Sequence, residues 1–349
     1  MKKIAINGFG RIGRLFFRQI MEGNFSDKLG VSLGFREIEV AVINDLGDAA
    51  NLAYLLKHDS VYRNFSEEVR FENGELIVGQ KRIKMIQEKE AEKLPWGEME
   101  IDLVVESTGV FESFEKAKAH LNAGAKKVVI TAPAKDEEGT AGGGTFLVGV
   151  NSEKIGSCNL TSNGSCTTNA VAPVMAILSL KLGIEKAVLN TIHAYTGTQL
   201  IVDGPVKGKD MLRGRAAAQN IIPSTTGAAI ATGRVVPELV GKFDGVAIRV
   251  PVATGSSADI TFLAKRKTTV EEVNNILREA AKEERWQGIL KVSEEPLVSS
   301  DIIGEPYGAI VDLSFTKVVD GDLVKVLSWY DNEWGYVSTL KRHVMVALK

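Results

Sequence analysis

The sequence predicts a two-part α/β chain: a doubly wound, mostly parallel sheet in the first half, then an α+β half built on one broad, mainly antiparallel sheet. Three observations carry this. A short strand at Lys2–Asn7 runs through a glycine-rich turn directly into a helix. Up to about residue 165, continuous apolar runs ending in small polar residues alternate with helical segments, as strands buried on both faces do. Beyond residue 186, strand patterns follow one another with few helices between them.

The opening strand leads into Gly8-Phe9-Gly10-Arg11-Ile12-Gly13 and then into the helical period of Arg14–Met21. Strand, G-x-G-x-x-G and helix in that order form a dinucleotide-binding fingerprint. The glycines let the backbone turn tightly and approach a pyrophosphate, whose charge then sits at the helix N-terminus. Glu39–Asp45 is the second strand, and Asp45 at its end stands where a carboxylate accepts bonds from an adenosine ribose. The alternative role for Asp45, compatible with that one, is to cap the helix that starts near Ala49. The spacing from the glycines is long because residues 24–35 read as an inserted loop. Asn73-Gly74 and Gly79-Gln80 mark hairpins between Val69 and Gln87. The parallel pattern resumes at Ile101–Gly109, followed by a helix over 112–123 and a strand at Lys126–Pro133. Ser107, Thr108 and Thr131 lie at those strand ends, where a cofactor crevice is lined. Residues 1–165 are therefore expected to be a Rossmann-type nucleotide-binding domain whose crevice faces Cys166.

Cys166 is one of two cysteines and lies in Ser162-Asn163-Gly164-Ser165-Cys166-Thr167-Thr168-Asn169, just before an apolar helix. A helix N-terminus favours negative charge, so a thiolate with lowered pKa is expected there, with hydroxyls and amides of Ser165 and Thr167 available to an anion. The alternative for such a residue is a buried structural cysteine beside a Ser/Thr cap. A nucleophile needs a base, and His193, ending the strand Lys186–His193, is the candidate; His58, His120 and His343 read as surface or satisfied residues.

A long loop over residues 196–223 carries Lys207, Lys209, Arg213 and Arg215 and is flanked by Thr196, Thr198, Thr226 and Gly227. Loops of that length are usually functional, and Gly227 opens a helix, so an anion pocket is expected there. Arg249 lies inside an apolar strand, where an unpaired guanidinium is costly, so it is expected to meet an anion. Strands over 258–264, 309–317 and 323–329, a helix over 270–284 and a last helix over 337–348 complete the second half.

Composition sets the outer limits. The 349 residues are 44% hydrophobic and 25% charged, enough for two packed domains, and the net charge of −2 gives no general attraction to nucleic acid or anionic membrane. No run approaches a membrane span, and no metal-ligand cluster, repeat or low-complexity tract is present. Two cysteines without an export signal point to a reducing cytoplasm.

Together with Tyr330-Asp331-Asn332-Glu333-Trp334-Gly335-Tyr336, the fingerprint over residues 6–14, the Cys166 segment and Thr191-Ile192-His193-Ala194-Tyr195-Thr196 closely resemble phosphorylating glyceraldehyde-3-phosphate dehydrogenases. The resemblance implies glycolytic or gluconeogenic oxidation of D-glyceraldehyde 3-phosphate with NAD and inorganic phosphate to 1,3-bisphosphoglycerate. Cys166 would be the nucleophile and His193 its base, through a hemithioacetal and a thioester. It implies a substrate-phosphate site at Thr196, Thr198 and Arg249. The inorganic-phosphate site would be at Ser165, Thr167, Thr226 and Gly227, with Arg213 or Arg215 nearby. Asn332 would hold the nicotinamide amide and Tyr336 belongs to the same cofactor motif. A C-terminal helix within 331–349 would complete the first domain, leaving 166–330 as the catalytic domain. A homotetramer with the long loop at an interface is implied too. Leu46 and Pro205 resemble members that use NAD rather than NADP. Departures include the 24–35 loop, Ala170 where many members have a second cysteine, Gly142-Gly143-Gly144 and Ile230. Rival readings are an erythrose-4-phosphate dehydrogenase, a non-catalytic nucleotide-binding interaction protein, and a Cys–His hydrolase. Thr196-Gly197-Thr198-Gln199, the intact Cys166 and His193, and the glycine fingerprint speak against them in turn.

Overall fold

A computed structural model describes residues 1–22, 38–206 and 210–349. The expected insertion at 24–35 lies outside the described residues, as do Lys207 and Lys209. The chain divides into two compact units, Met1–Gly164 with Leu340–Lys349, and Ser165–Thr339.

The first unit holds, among the described residues, a nine-stranded sheet. Its centre is parallel: β1 (Lys2–Asn7) is flanked by β2 (Ile38–Asn44) and by the later strand Leu103–Glu106. β3 (Val69–Glu72), β4 (Glu75–Val78) and β5 (Lys81–Ile86) are the expected hairpins, each antiparallel to the next, and β5 joins β2 in parallel. Leu103–Glu106 is β6, followed by β7 (Lys127–Ile130), the two-residue β8 (Gly144–Thr145) and β9 (Leu160–Ser162). The sheet order β3-β4-β5-β2-β1-β6-β7-β9-β8 places β1 and β6 side by side, although they are about a hundred residues apart. That is the point where the order of a doubly wound sheet reverses and where ligands bind at the strand ends.

Helices α1 (Arg11–Met21), α2 (Ala49–Lys57) and α3 (Phe114–Asn122) supply the crossovers. α1 buries Leu15, Phe16, Phe17 and Ile20, the stripe its period predicts. The cap of α2 differs from expectation: Asp48, not Asp45, accepts the N–H of Asn51, because Asp48 is the residue one position before the helix. Trp96, Phe114, Val104 and Val128 pack as one apolar cluster under the sheet.

The second unit is built on a seven-stranded sheet in the order β11-β12-β10-β13-β16-β15-β14, again among the described residues. The strands are β10 (Ile184–Ala194), β11 (Ile222–Thr225), β12 (Phe243–Val250), β13 (Ser256–Ala264), β14 (Leu290–Ser293), β15 (Ala309–Val319) and β16 (Leu323–Tyr330). The sheet is mainly antiparallel as expected, with parallel pairs at β10·β12 and β14·β15. α4 (Cys166–Leu182) is buried along most of its length, which matches a sequence apolar on every face. α5 (Ala228–Val235) and α6 (Val270–Ala280) follow, and α6 stops before the expected residue 284. The last helix, α7 (Trp334–Leu348), starts earlier than its apolar period suggests. Asp331 accepts the N–H groups of Glu333 and Trp334 and so opens the helix.

Candidate active site

Cys166 is set by the turn that precedes it. Gly164 has φ +61°, a conformation costly for other residues, and Ser165 then returns to extended backbone as the N-cap of α4. Ser165 Oγ accepts the N–H of Thr168 at 3.0 Å while Thr168 Oγ1 accepts the N–H of Ser165 at 3.2 Å, a reciprocal cap. Cys166 is therefore the first residue of the helix, half-buried and free of any disulfide. β10 brings His193 to it: Nε2 lies 3.4 Å from Sγ, and the imidazole is buried.

The electrostatics differ from the sequence expectation of a thiolate at rest. Loss of solvent around the sulfur pushes the Cys166 thiol above its ordinary range, and the positive charge of Arg249 and the Thr167 hydroxyl and amide only partly pull it back. Burial, with the Arg249 charge second, lowers the His193 pKa to about 3. Both shifts favour the uncharged forms, so ionising the thiol calls for a base beside it.

Two hydroxyls behind the pair are held by Tyr330. Its Oη lies 2.9 Å from Thr167 Oγ1 and 2.8 Å from Thr191 Oγ1, and its ring meets that of His193 edge-on at 5.9 Å. Burial raises the phenol well above its usual range, so it stays a neutral hydroxyl. Tyr330 was not singled out from the sequence. The available signal was a tyrosine ending an apolar strand, whose partners come from residues far away in the chain.

Arg249 is the strand partner of His193, and its Nη1 reaches both His193 Nδ1 (2.7 Å) and Ala194 O (3.2 Å). Its Nε is buried with no partner among the described residues, a costly state for a guanidinium. Thr196 and Thr198 share a hydroxyl contact at 3.0 Å, and Arg213 donates to Thr198 at 2.9 Å and to Ser224 at 3.2 Å. Arg215 is instead engaged in an exposed ion pair with Asp203, 2.9 Å away. Gly227 is the N-cap of α5 and has no side chain to occupy it, while Thr226 Oγ1 accepts the N–H of Ala228.

In the first unit the three glycines of the fingerprint have separate physical roles. Gly8 has φ +95° and lies so close to β6 that a Cβ would be 2.6 Å from Ser107 C and Thr108 N. A Cβ on Gly13 would be 2.1 Å from Gly8 O, so this glycine allows α1 to pack onto the turn. Around Gly10 nothing lies within 4 Å of such a Cβ, and α1 begins there without a side-chain cap or an acidic first turn. That open, uncapped N-terminus fits a pyrophosphate. Phe9 is buried against Phe17, and Arg11 pairs with Asp59; Ile12 follows in the first turn of α1. Ser107 Oγ donates to Gly8 O, Thr108 is held through Glu106, and the N–H of Thr131 bonds Glu106 O. In the second unit, Asn332 Oδ1 accepts from Ser256 at 2.8 Å and Thr254 at 3.3 Å, which leaves its amide nitrogen to donate. Tyr336 is buried on α7.

Family models for glyceraldehyde 3-phosphate dehydrogenase match this chain twice: the NAD binding domain over residues 2–114 and the C-terminal domain over 165–332. The chain is 46% identical over 340 residues to glyceraldehyde-3-phosphate dehydrogenase 2 of Streptomyces avermitilis, covering 97% of this chain and 96% of that protein. It is 47% identical to the glyceraldehyde-3-phosphate dehydrogenases of Mycolicibacterium smegmatis, over 345 residues, and Mycobacterium tuberculosis, over 341, with the same coverage of each chain. The chain belongs to the glyceraldehyde-3-phosphate dehydrogenase family. Its first unit carries the family's NAD-binding fold and its second the family's C-terminal fold, so the cofactor is NAD.

The remaining histidines are partnered, as the sequence suggested. His58 meets Asn64, and His343 meets Thr161 and the Phe146 carbonyl. His120 lies in a buried network that sequence reasoning missed: Trp96 Nε1 donates to its Nδ1, leaving Nε2–H to bond Glu106, which also accepts from Asn7 and Thr108. This network fixes the strand ends beneath the glycine turn.

Proposed function

We propose that this family member oxidises glyceraldehyde 3-phosphate by covalent catalysis at Cys166 and releases the product to inorganic phosphate. The observation that carries the reading is the 3.4 Å approach of His193 Nε2 to Cys166 Sγ at the first residue of a helix. His193 takes the thiol proton as sulfur adds to the aldehyde carbon, returns it to the carbonyl oxygen to give the hemithioacetal hydroxyl, and then takes that hydroxyl proton as hydride leaves. NAD, when bound, supplies the hydride acceptor. The acyl group stays on Cys166 as a thioester, and inorganic phosphate attacks it and frees the thiolate, which is reprotonated from His193.

The second unit's anion-binding groups divide between the two phosphates. Arg249, Thr196 and Thr198 would hold the substrate phosphate, with Arg213 beside them. Ser165, Thr167, Thr226 and Gly227 would hold the inorganic phosphate through hydroxyls and helix N-termini. The glycine turn, Asp45, Ser107, Thr108 and Thr131 would hold the dinucleotide, with Asn332 and Tyr336 serving its nicotinamide end. On this assignment the first unit with its C-terminal residues is the cofactor domain and the second is the catalytic domain.

A homotetramer is part of the proposal. Ile201, Val202, Met211, Leu212 and Ile221 are exposed on the long loop, and Val188 and Val246 on adjacent strands, apolar side chains that suit a subunit interface. Light scattering should return four chains. A reducing cytoplasm suits two unbonded cysteines, and among the described residues no helix is long and apolar enough to cross a membrane.

The decisive assay is NADH production from glyceraldehyde 3-phosphate with and without inorganic phosphate. With phosphate the enzyme turns over. Without it, about one NADH per active site should appear and the thioester should accumulate. Sustained turnover without phosphate would replace the phosphorolytic step with hydrolysis.

A further inference from the structure

Glu106 ends β6 directly before Ser107 and Thr108 and is buried, yet among the described residues no lysine or arginine contacts its carboxyl group. Each of its partners is a neutral donor. Trp96 Nε1 can only donate, so at 3.1 Å it claims the lone pair of His120 Nδ1, and the ring proton sits on Nε2, 3.0 Å from Glu106 Oε2. Asn7 is oriented from the other side. The N–H of Glu88 donates to Asn44 Oδ1, Asn44 Nδ2 donates to Asn7 Oδ1, and Asn7 Nδ2 is left to donate to Glu106 Oε2. Thr108 Oγ1 accepts the N–H of Val110, so its own hydrogen turns to Glu106 Oε1, which also accepts the Thr108 N–H at 2.8 Å.

Four donors leave no acceptor for a carboxyl proton, so the group is a carboxylate. His120 does not neutralise it, because a second ring proton would have to displace the Trp96 N–H. A negative charge is thus buried without a counter-ion, an arrangement that is costly unless it serves something. Its position supplies the use. β6 lies beside β1 where the sheet order reverses, and the two halves of a doubly wound sheet each take one nucleotide of a dinucleotide. Asp45 on β2 places adenosine on the first half, which leaves the nicotinamide nucleotide to the half that β6 opens. Glu106 stands among the groups assigned to that crevice: Ser107 and Thr108 follow it, and its carbonyl accepts the N–H of Thr131. The oxidised nicotinamide ring is a cation and the reduced ring is neutral. A fixed negative charge on this side tells them apart.

We propose that Glu106 sets the preference of this chain for the redox state of its cofactor: the buried carboxylate, held ionised by Asn7, His120 and Thr108, favours the cationic oxidised ring over the neutral reduced one. The proposal rests on the assignment of the glycine turn, Ser107, Thr108 and Thr131 to the dinucleotide. The same charge repels the pyrophosphate equally in both forms, so that effect cancels from the ratio of their affinities. The consequence is a cofactor held less tightly once its ring has lost its charge.

Titration calorimetry of the full-length protein, without substrate, tests this without turnover. NAD is compared with NADH and with the benzamide analogue of NAD, whose ring is planar and uncharged. A unit charge on the order of 10 Å away is worth about twofold in affinity in water and about fifteenfold at an effective dielectric of 20. Wild type should bind NAD more tightly than the benzamide analogue by a factor in that range. Glu106→Gln should shrink the preference for NAD over both neutral-ring ligands by about twofold to fifteenfold. Glu106→Asp, which keeps the charge, should preserve the preference even if it weakens all three ligands alike. A loss in Glu106→Gln shared equally by the three, as from a carboxylate that only fixes the turn, would overturn the proposal. Two measurements decide if that variant does not fold. Wild type that binds the benzamide analogue as tightly as NAD overturns the proposal. Asn7→Asp combined with Glu106→Gln returns one carboxylate and one amide to the same pair of side chains, so it should keep the wild-type ratio, and a collapsed ratio overturns the proposal too. ADP-ribose, which has no nicotinamide ring, tests the underlying assignment separately. Gly10→Asp, which adds a negative charge where the N-terminus of α1 is open, should weaken it strongly; indifference would remove the crevice assignment and the proposal with it.

Discussion

Asp45 Oδ2 accepts the backbone N–H of Phe9 at 2.6 Å, so the acidic end of β2 is tied directly to the glycine turn of β1. Its other oxygen accepts the N–H of Gly47 at 2.7 Å. The carboxylate is thereby fixed where an adenosine ribose is expected, and a 2′-phosphate would meet its charge. Two like charges at about 4 Å cost roughly 1 kcal/mol in water and about 4 at a partly buried surface, a preference for NAD over NADP of about fivefold to nearly a thousandfold. Asp45→Gly should shrink that preference in kcat/KM and also weaken NAD, because Phe9 loses its acceptor. Equal use of both cofactors by the wild type would show that Asp45 serves only the turn.

Cys166→Ser should abolish oxidation yet leave NAD binding nearly unchanged, since the fingerprint is untouched and a serine hydroxyl is far less acidic than a thiol. His193→Ala should lower the rate about 10²- to 10⁴-fold. Because the thiol is held above its ordinary range, alkylation of Cys166 in that variant should shift to still higher pH. An unchanged profile would mean that the 3.4 Å contact carries no proton transfer.

Arg213 and Arg215, indistinguishable in sequence, have separate environments. Arg213 reaches Thr198 and Ser224, whereas Arg215 makes an exposed ion pair with Asp203, which solvent screens. Arg213→Ala should raise KM for the phosphorylated substrate at least tenfold, and Arg215→Ala should barely change it. The reverse order in steady-state kinetics would reassign the arginine.

Tyr330→Phe removes the hydroxyl that lies between Thr167 and Thr191. Both buried threonines then lose a partner, which should cost about 1–3 kcal/mol in urea unfolding. A variant as stable as wild type would mean that the threonines find other partners.

His343 bonds Thr161 at 2.8 Å and the Phe146 carbonyl at 3.1 Å, and burial lowers its pKa to about 4 from an unfolded value near 6.5. Between those values the unfolded chain binds a proton that the folded chain does not, so stability is lost as pH falls through this window. The loss should approach about 3 kcal/mol by pH 4. His193, depressed in the same direction, contributes in the same range, so the comparison is between variants. His343→Gln should flatten the acid limb of stability against pH, measured by denaturant titration at pH 7 and pH 5. Identical acid limbs would exclude His343.

The sequence by itself determined the elements and the chemistry that is local in the chain. Gly8, Gly10 and Gly13 could be read because a tight turn, an open approach and a close helix packing each forbid a Cβ or leave its space for a ligand, at a fixed spacing of a few residues. The helix start at Cys166 was legible because Ser165 and Thr168 cap within three residues of each other. Tertiary structure alone decided what depends on long-range register and burial. Pairing β10 with β12 sets Arg249 against His193, β16 brings Tyr330 between Thr167 and Thr191, and β6 puts Glu106 under the glycine turn. Burial likewise reversed the expected thiol pKa, because a helix N-terminus can be read from sequence but the loss of water around a sulfur cannot. Those contacts are set by the sheet order, which brings together residues that lie far apart in the chain.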